Sequence, residues 1–245
     1  MKVVKLIQVM RVSHFAGVAT VIASALLSAP APSASAQSCP DVEVVFARGT
    51  SEAPGVGMVG QSFVNSVQSQ VGNRSVAVYP VNYEASSDFG NRLEFVRSVV
   101  DGVRDAAIHV QDTATNCPNT RIVLGGYSQG AVVSGYATAN DLPRRDIPAD
   151  LVQYAWYAPK PMPLSVANHV AALVLFGKPS SQFMSEIGAP PIPIGPAYAP
   201  KTIEMCVPDD TICNGAPGGG PTIAHITYGM NGMADQAASF AVGRL

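Results

Sequence analysis

Short, continuously apolar segments alternate with longer amphipathic ones along most of the chain. Runs of apolar and β-branched residues predict buried strands, and five such runs follow residue 40. Continuously apolar strands that alternate with helices are typical of a parallel sheet covered on both faces. The predicted strands are Val42–Ala47, Ser75–Tyr79, Arg121–Gly125, Val170–Phe176 and Thr202–Met205.

Helical periodicity is found between these strands. Val59–Val71 and Ala131–Ala139 are short helix candidates, and a longer candidate lies between them. The longer one has apolar residues at steps of three and four, so they share one helix face. These residues are Leu93, Val96, Val100, Val103 and Ala107. The whole pattern predicts one α/β domain, in which helices cover both faces of a mostly parallel, five-stranded sheet.

The N-terminal 36 residues have a different character. Every charged residue there is basic, and an apolar run from Phe15 to Ala29 follows. The segment ends in the small residues Ala34-Ser35-Ala36, which completes the order of a secretory signal peptide. The apolar run is shorter than the roughly 20 residues that a membrane-spanning helix needs. We therefore expect residues 1–36 to be cleaved and residues 37–245 to be secreted, with association with the cell envelope left open.

Two connecting segments interrupt the alternation of strands and helices. Asp141–Pro163 is rich in proline and aromatic residues. Because proline disfavours the interior of helices and strands, this segment is either a surface connection or a flap beside a lipid-facing site. Ala189–Pro200 is also rich in proline, and we interpret it as a surface connection.

Composition excludes several classes of protein. A chain that is 47% hydrophobic and 13% charged is not intrinsically disordered, and a formal net charge of −2 argues against a nucleic-acid partner.

The cysteines are Cys39, Cys117, Cys206 and Cys213. In an exported protein they indicate disulfides, and they lack the C-x-x-C spacing of a metal site. Three pairings are possible; the short interval favours Cys206–Cys213, which leaves Cys39–Cys117.

The clearest chemical motif is a G-x-S-x-G pentapeptide, Gly126-Tyr127-Ser128-Gln129-Gly130. Such a motif is informative when a buried strand leads into it and a helix follows, because the small residues permit a tight turn that exposes the serine. Both flanking elements are predicted here. An ordinary turn with a helix-capping serine is the simpler alternative. We favour Ser128 as a nucleophile.

A serine nucleophile needs a base and an orienting acid. On this type of fold the chain order is serine, acid, histidine, and only His169 and His225 follow the pentapeptide in sequence. His169 precedes a predicted strand and so lies at the opposite end of the sheet, which makes His225 the candidate base. Asp209 and Asp210 are both candidates for the acid, since spacing alone does not separate neighbours.

These motifs together resemble the cutinase family, in particular its small secreted bacterial branch. The resemblance extends from Cys39 to the C-terminus. It rests on residues 44–50 (VVFARGT), Cys117-Pro118, residues 125–130 (GGYSQG), Cys206–Cys213 (CVPDDTIC) and residues 224–228 (AHITY).

The resemblance implies a fold, a site and an activity. It implies an α/β-hydrolase-like three-layer sandwich without a cap domain, and the disulfides Cys39–Cys117 and Cys206–Cys213. It makes Asp210 the acid of a Ser128–Asp210–His225 triad and assigns Thr50 and Gln129 to the oxyanion hole. The last expected features are no cofactor, no metal, no stable insertion into a membrane and a monomeric state.

The expected activity is that of a secreted serine esterase. Its substrates would be short- to medium-chain acyl esters, lipids or polyesters of the cutin type. Two alternatives remain open at this stage: an acetylxylan-type carbohydrate esterase, which resembles the same family, and a secreted lipid-binding protein that keeps the fold without catalysis.

Overall fold

The computed structural model of the chain describes residues 39–141 and 159–245. The predicted signal peptide, residues 1–36, lies outside the described residues. So do residues 142–158, which make up most of the proline- and aromatic-rich connection. In the part of the chain that is described, none of the helices combines the length and the apolar character that crossing a membrane requires.

The described residues build a five-stranded sheet in which every neighbouring pair of strands is parallel. The strand order is β2-β1-β3-β4-β5, so the first strand and the strand that precedes Ser128 are adjacent at the centre. The strands are β1 (Val42–Ala47), β2 (Val76–Pro80), β3 (Arg121–Tyr127), β4 (Val170–Phe176) and β5 (Thr202–Met205).

Five α-helices flank this sheet in the described ranges. Apolar faces at helical spacing explain the two helices that follow β1 and β2, because each buries one side, whereas nearly every residue of the helix after β3 is buried. Asn91 caps the longest of them, its side chain accepting a hydrogen bond from the Glu94 N–H at 3.3 Å. The helices are α1 (Gly57–Gln70), α2 (Arg92–Asn116), α3 (Gln129–Ala137), α4 (Ser181–Glu186) and α5 (Met233–Val242).

Alternate residues of the central strands enter two separate hydrophobic cores. Val45 and Leu124 belong to the core that α2 and α3 cover, whereas Phe46 and Val123 belong to the core covered by α1 and α5. Successive side chains of a strand point to opposite faces, so a continuously apolar strand is one that is buried on both. The predicted layers, with helices on both faces of a parallel sheet, are therefore confirmed.

The structure corrects one strand and adds two helices. Ser75–Tyr79 was expected to be buried, but β2 is an edge strand whose residues are half-buried or exposed. Neither α4 nor α5 was predicted. The α5 helix buries alanines, Ala234, Ala237, Ala238 and Ala241, which give a weak apolar signal in a sequence. The proline-rich Ala189–Pro200 connection packs on α3, where Tyr136 donates a hydrogen bond to the Pro190 carbonyl at 2.9 Å.

Candidate active site

Ser128 lies at the carboxyl end of β3, between the strand and α3, as the pentapeptide predicts. Its φ of 53° is in the left-handed region, which a serine rarely adopts. The turn is held by close backbone packing: a Cβ added at Gly126 would lie 2.1 Å from the Gly130 carbonyl oxygen, and one at Gly130 would lie 1.9 Å from that of Ala47. Only glycine fits at either position, and the strained serine is thereby kept at the edge of the sheet.

His225 meets Ser128 from a loop nearly a hundred residues further along the chain. Its Nε2 atom lies 2.9 Å from Ser128 Oγ, and its Nδ1 atom lies 2.8 Å from Asp210 Oδ2. The imidazole is buried, and Tyr127 donates a hydrogen bond to the His225 carbonyl oxygen at 2.7 Å. The three side chains therefore form one continuous chain of hydrogen bonds in the order serine, histidine, aspartate.

Of the two neighbouring aspartates, the structure brings only Asp210 to the histidine. Asp210 is fully buried, whereas Asp209 is exposed. Burial by itself would raise the pKa of Asp210, but hydrogen bonds from His225, from Tyr228 and from the backbone of Ile212 outweigh burial and hold that pKa below its usual value. Asp210 is therefore a carboxylate at neutral pH.

The second loop of the site, residues 48–52, follows β1. Ala47 pairs with Gly126 in the sheet, so this loop emerges beside the serine turn. A Cβ added at Gly49 would lie 2.6 Å from the ring of Tyr127, which shows how closely the loop packs on the pentapeptide. Thr50 belongs to this loop, whereas Gln129 is the first residue of α3, where backbone N–H groups lack partners within the helix.

Polar side-chain contacts brace the loop that carries Thr50. The guanidinium of Arg48 is buried and donates hydrogen bonds to the carbonyl oxygens of Glu52, at 2.8 Å, and Tyr83, at 2.5 Å. The carboxylate of Glu52 accepts hydrogen bonds from the N–H groups of Gly49, at 2.6 Å, and Met58, at 2.7 Å. Positive and negative side chains thus fix the loop from both sides.

Both expected disulfides are present. Cys39–Cys117 joins the segment before β1 to the end of α2, and Cys206–Cys213 closes the loop that carries Asp210. The Sγ atom of Cys213 lies 3.1 Å from Asp210 Oδ2. A disulfide sulfur has no proton to donate, so this contact is one of packing. The Cys206–Cys213 disulfide therefore limits the movement of the candidate acid.

His169 lies where the sequence order places it, away from these side chains. It directly precedes β4, and its carbonyl oxygen accepts a hydrogen bond from the Ile122 N–H at 2.9 Å, at the amino-terminal end of the sheet.

Three residues of the site have no role predicted from the sequence, namely Arg48, Glu52 and Tyr228. Arg48 and Tyr228 stand inside the quoted motifs, so their place in those motifs was the available signal.

The chain is similar to known proteins over most of its length. The family model described as Cutinase matches residues 38–245. Carboxylesterase Culp1 of Mycobacterium tuberculosis is 48% identical over 233 residues, covering 94% of this chain and 94% of the relative. Phospholipase Culp4 of the same organism is 42% identical over 225 residues, covering 91% and 87%.

Solved structures show the same likeness. Trichoderma reesei cutinase in complex with a phosphonate inhibitor has a TM-score of 0.60 and 30% identity, covering 84% of this chain and 76% of that one. An acetylxylan esterase has a TM-score of 0.63 and 26% identity, covering 84% and 99%. The expected α/β-hydrolase-like fold is confirmed. The chain belongs to the cutinase family, and it is an enzyme that hydrolyses carboxylic esters.

Proposed function

We propose that the chain is a secreted serine esterase in which Ser128 is the nucleophile, His225 the general base and Asp210 the orienting acid. The single observation that carries this proposal is the pair of contacts made by His225, 2.9 Å to Ser128 Oγ and 2.8 Å to Asp210 Oδ2. Both distances are within the range in which a base and its orienting acid act together.

The reaction proceeds in two halves. Ser128 Oγ attacks the ester carbonyl carbon while His225 Nε2 takes the hydroxyl proton, and Asp210 stabilises the imidazolium that forms. His225 then returns the proton to the leaving alcohol as the ester bond breaks, which leaves an acyl group on Ser128. A water molecule, deprotonated by His225, attacks this acyl-enzyme and releases the carboxylic acid.

The negative charge that develops on the carbonyl oxygen requires donors beside the serine. We assign this role to the backbone N–H of Gln129, at the start of α3, and to Thr50, in the braced loop after β1. Removing one such donor typically lowers the rate about 10²–10³-fold. The side chain of Gln129 is itself buried and donates to the Ser86 carbonyl at 3.1 Å, which supports a fixed backbone at this position.

Exposed apolar residues near the site favour an acyl or lipid substrate. Ile223 and Ile226 flank the base in sequence and are 82% and 55% exposed. Phe89 is 69% exposed and follows the Ala85–Ser86 segment, whose carbonyl oxygens bind the Thr50 loop and Gln129. Large exposed apolar side chains in segments that adjoin the base and the Thr50 loop are suited to contact an apolar substrate.

A Ser128→Ala variant tests the nucleophile. We expect it to lose hydrolysis of p-nitrophenyl butyrate while its circular dichroism spectrum stays that of the wild type, because the change removes one partly buried hydroxyl. A fluorophosphonate probe should label the wild-type protein at Ser128 and leave the variant unlabelled. Turnover retained by the variant would overturn the proposal.

The acetylxylan-type alternative is separated by acyl length. A series of p-nitrophenyl esters from acetate to palmitate, together with acetylated xylan, measures the preference directly. We expect the best substrates to have acyl chains longer than acetate, because the exposed apolar side chains of Ile223 and Ile226 flank the base in sequence. A sharp optimum at acetate, with release of acetate from xylan, would instead favour the carbohydrate esterase.

A further inference from the structure

Among the described residues, Tyr228 is the one large side chain that hydrogen-bonds to the candidate acid and that the proposed mechanism does not use. It is fully buried, three residues after His225, and its ring packs against those of Tyr127 and Phe176. Its hydroxyl oxygen lies 2.5 Å from Asp210 Oδ2. This is the same oxygen atom that His225 Nδ1 contacts.

The direction of the Tyr228 hydrogen bond follows from its surroundings. The Val207 N–H donates to the Tyr228 hydroxyl oxygen at 3.3 Å, so this contact uses the oxygen as an acceptor. The Sγ atom of Cys213, 3.2 Å away, belongs to a disulfide and carries no proton. The single phenolic proton is therefore donated to Asp210.

Tyr228 keeps that proton throughout the working range of an esterase. Burial raises the pKa of the Tyr228 phenol, and its hydrogen bond to the Asp210 carboxylate raises that pKa further, well above the usual value. The other titratable groups facing this cluster are His225, Tyr127 and, acting on Tyr127 through its charge, Glu52. Among the described residues, Asp210 is the only carboxylate that forms an ion pair with His225.

We propose that Tyr228 is a positioning residue for ester hydrolysis: its hydroxyl holds Asp210 in the orientation that His225 requires and takes up part of the carboxylate's negative charge. This inference rests on the proposed triad and adds a fourth member to it. Because Tyr228 is fully buried and reaches the reaction only through Asp210, it acts on the base without touching substrate.

The test is a Tyr228→Phe variant, which removes one oxygen atom and keeps the ring. Without this donor Asp210 turns more freely, so we expect kcat to fall about tenfold with KM unchanged. The full negative charge of Asp210 then stabilises the imidazolium more strongly. The acidic limb of the plot of kcat/KM against pH should therefore shift to higher pH by about half a unit. A residue that only fills space would not move this limb.

Tyr127→Phe is the matched control. It removes the same atom from a neighbouring buried tyrosine, whose hydroxyl donates to the backbone carbonyl of His225 instead of to the carboxylate. We expect its acidic limb to coincide with that of the wild type. Thermal unfolding of both variants measures the stability that each hydroxyl contributes and separates it from the kinetic effect.

A second variant keeps the hydroxyl and changes only its acidity. In a Tyr228→3-fluorotyrosine protein the phenol is a stronger donor to Asp210, so the acidic limb should move downward, opposite to the shift in Tyr228→Phe. If the acidic limbs of Tyr228→Phe and of the 3-fluorotyrosine protein both coincide with that of the wild type, the role of Tyr228 is overturned, even while Ser128→Ala stays inactive. Activity retained in Ser128→Ala would instead overturn the triad itself.

Discussion

The nucleophile and the acid–base pair are held in place by different kinds of contact. The turn that carries Ser128 is held by backbone packing. The glycines at positions 126 and 130 let β3, α3 and the end of β1 pack so closely that no Cβ would fit at either position. Asp210 and His225 lie in loops after β5, and these loops are held by side chains, namely a disulfide and a buried tyrosine.

This difference predicts how each side responds to change. Backbone packing leaves no room for any added atom, so the serine turn should be sensitive to the size of a substituent and insensitive to pH or redox state. A loop held by hydrogen bonds and a disulfide should tolerate changes in volume better, and should respond to changes in polarity, protonation and covalent cross-linking. The following three predictions test this contrast, from the largest expected effect to the smallest.

The largest effect is expected from Asp210→Asn. The amide has nearly the same size as the carboxylate, but it lacks the charge and the acceptor pattern that fix the His225 tautomer, so kcat should fall about 10³–10⁴-fold. Asp209→Asn is the matched control, since its side chain is exposed. Steady-state kinetics with p-nitrophenyl butyrate measure both variants. A loss of activity in Asp209→Asn with activity kept in Asp210→Asn would reverse the assignment.

The next effect concerns the size of a residue in the serine turn. Gly130→Ala places a methyl group where the Ala47 carbonyl oxygen lies 1.9 Å away, so the strand end or the turn must move. We expect activity to fall about 100-fold and unfolding free energy to fall about 3 kcal/mol.

Gly220→Ala serves as the control for that change, because a Cβ there meets no atom within 4 Å. Its thermal unfolding and esterase activity should match those of the wild type. If Gly130→Ala and Gly220→Ala had the same activity and thermal stability, the serine turn would accommodate an added methyl group. The predicted difference between the serine turn and the acid–base loops would then be wrong.

The smallest effect on activity, and the most selective, is expected from the disulfides. Loop-closure entropy assigns about 4–5 kcal/mol to Cys39–Cys117, whose cysteines are 78 residues apart, and about 2–3 kcal/mol to Cys206–Cys213, 7 residues apart. Paired Cys→Ser variants should therefore lose more stability at the first disulfide. Activity at a temperature where both remain folded should fall only at the second, several-fold, because only that disulfide contacts Asp210. An equal loss of activity in both variants would contradict this prediction.

Much of the fold could be predicted from local patterns. β1, β4 and β5 have the predicted boundaries, because runs of β-branched and apolar residues bounded by turns are a strong local signal. The edge position of β2 could not be predicted, since Val76–Pro80 reads much like a central strand and only its neighbours decide its burial. Helix α5 was missed because its buried face consists of alanine.

The candidate site divides in the same way. The pentapeptide and the order of serine, acid and histidine along the chain pointed to Ser128 and His225, and these are the residues that the fold brings together. Spacing did not separate Asp209 from Asp210, because they are neighbours in an irregular loop that has no periodicity. Resemblance to a family favoured Asp210, and the folded loop turns that carboxylate to His225.

The sequence by itself determined the α/β class and the strand that leads into Ser128, because both depend on residues close together in the chain. The order of residues along the chain reduced the partners of Ser128 to a short list. The structure shows the Asp210 carboxylate facing the imidazole, as the family resemblance implies, and only the tertiary structure revealed that Tyr228 donates to the same oxygen atom. It also decided that Arg48 and Glu52 brace the Thr50 loop. Such contacts join side chains across turns and loops whose direction is set by packing, and no local pattern encodes that direction.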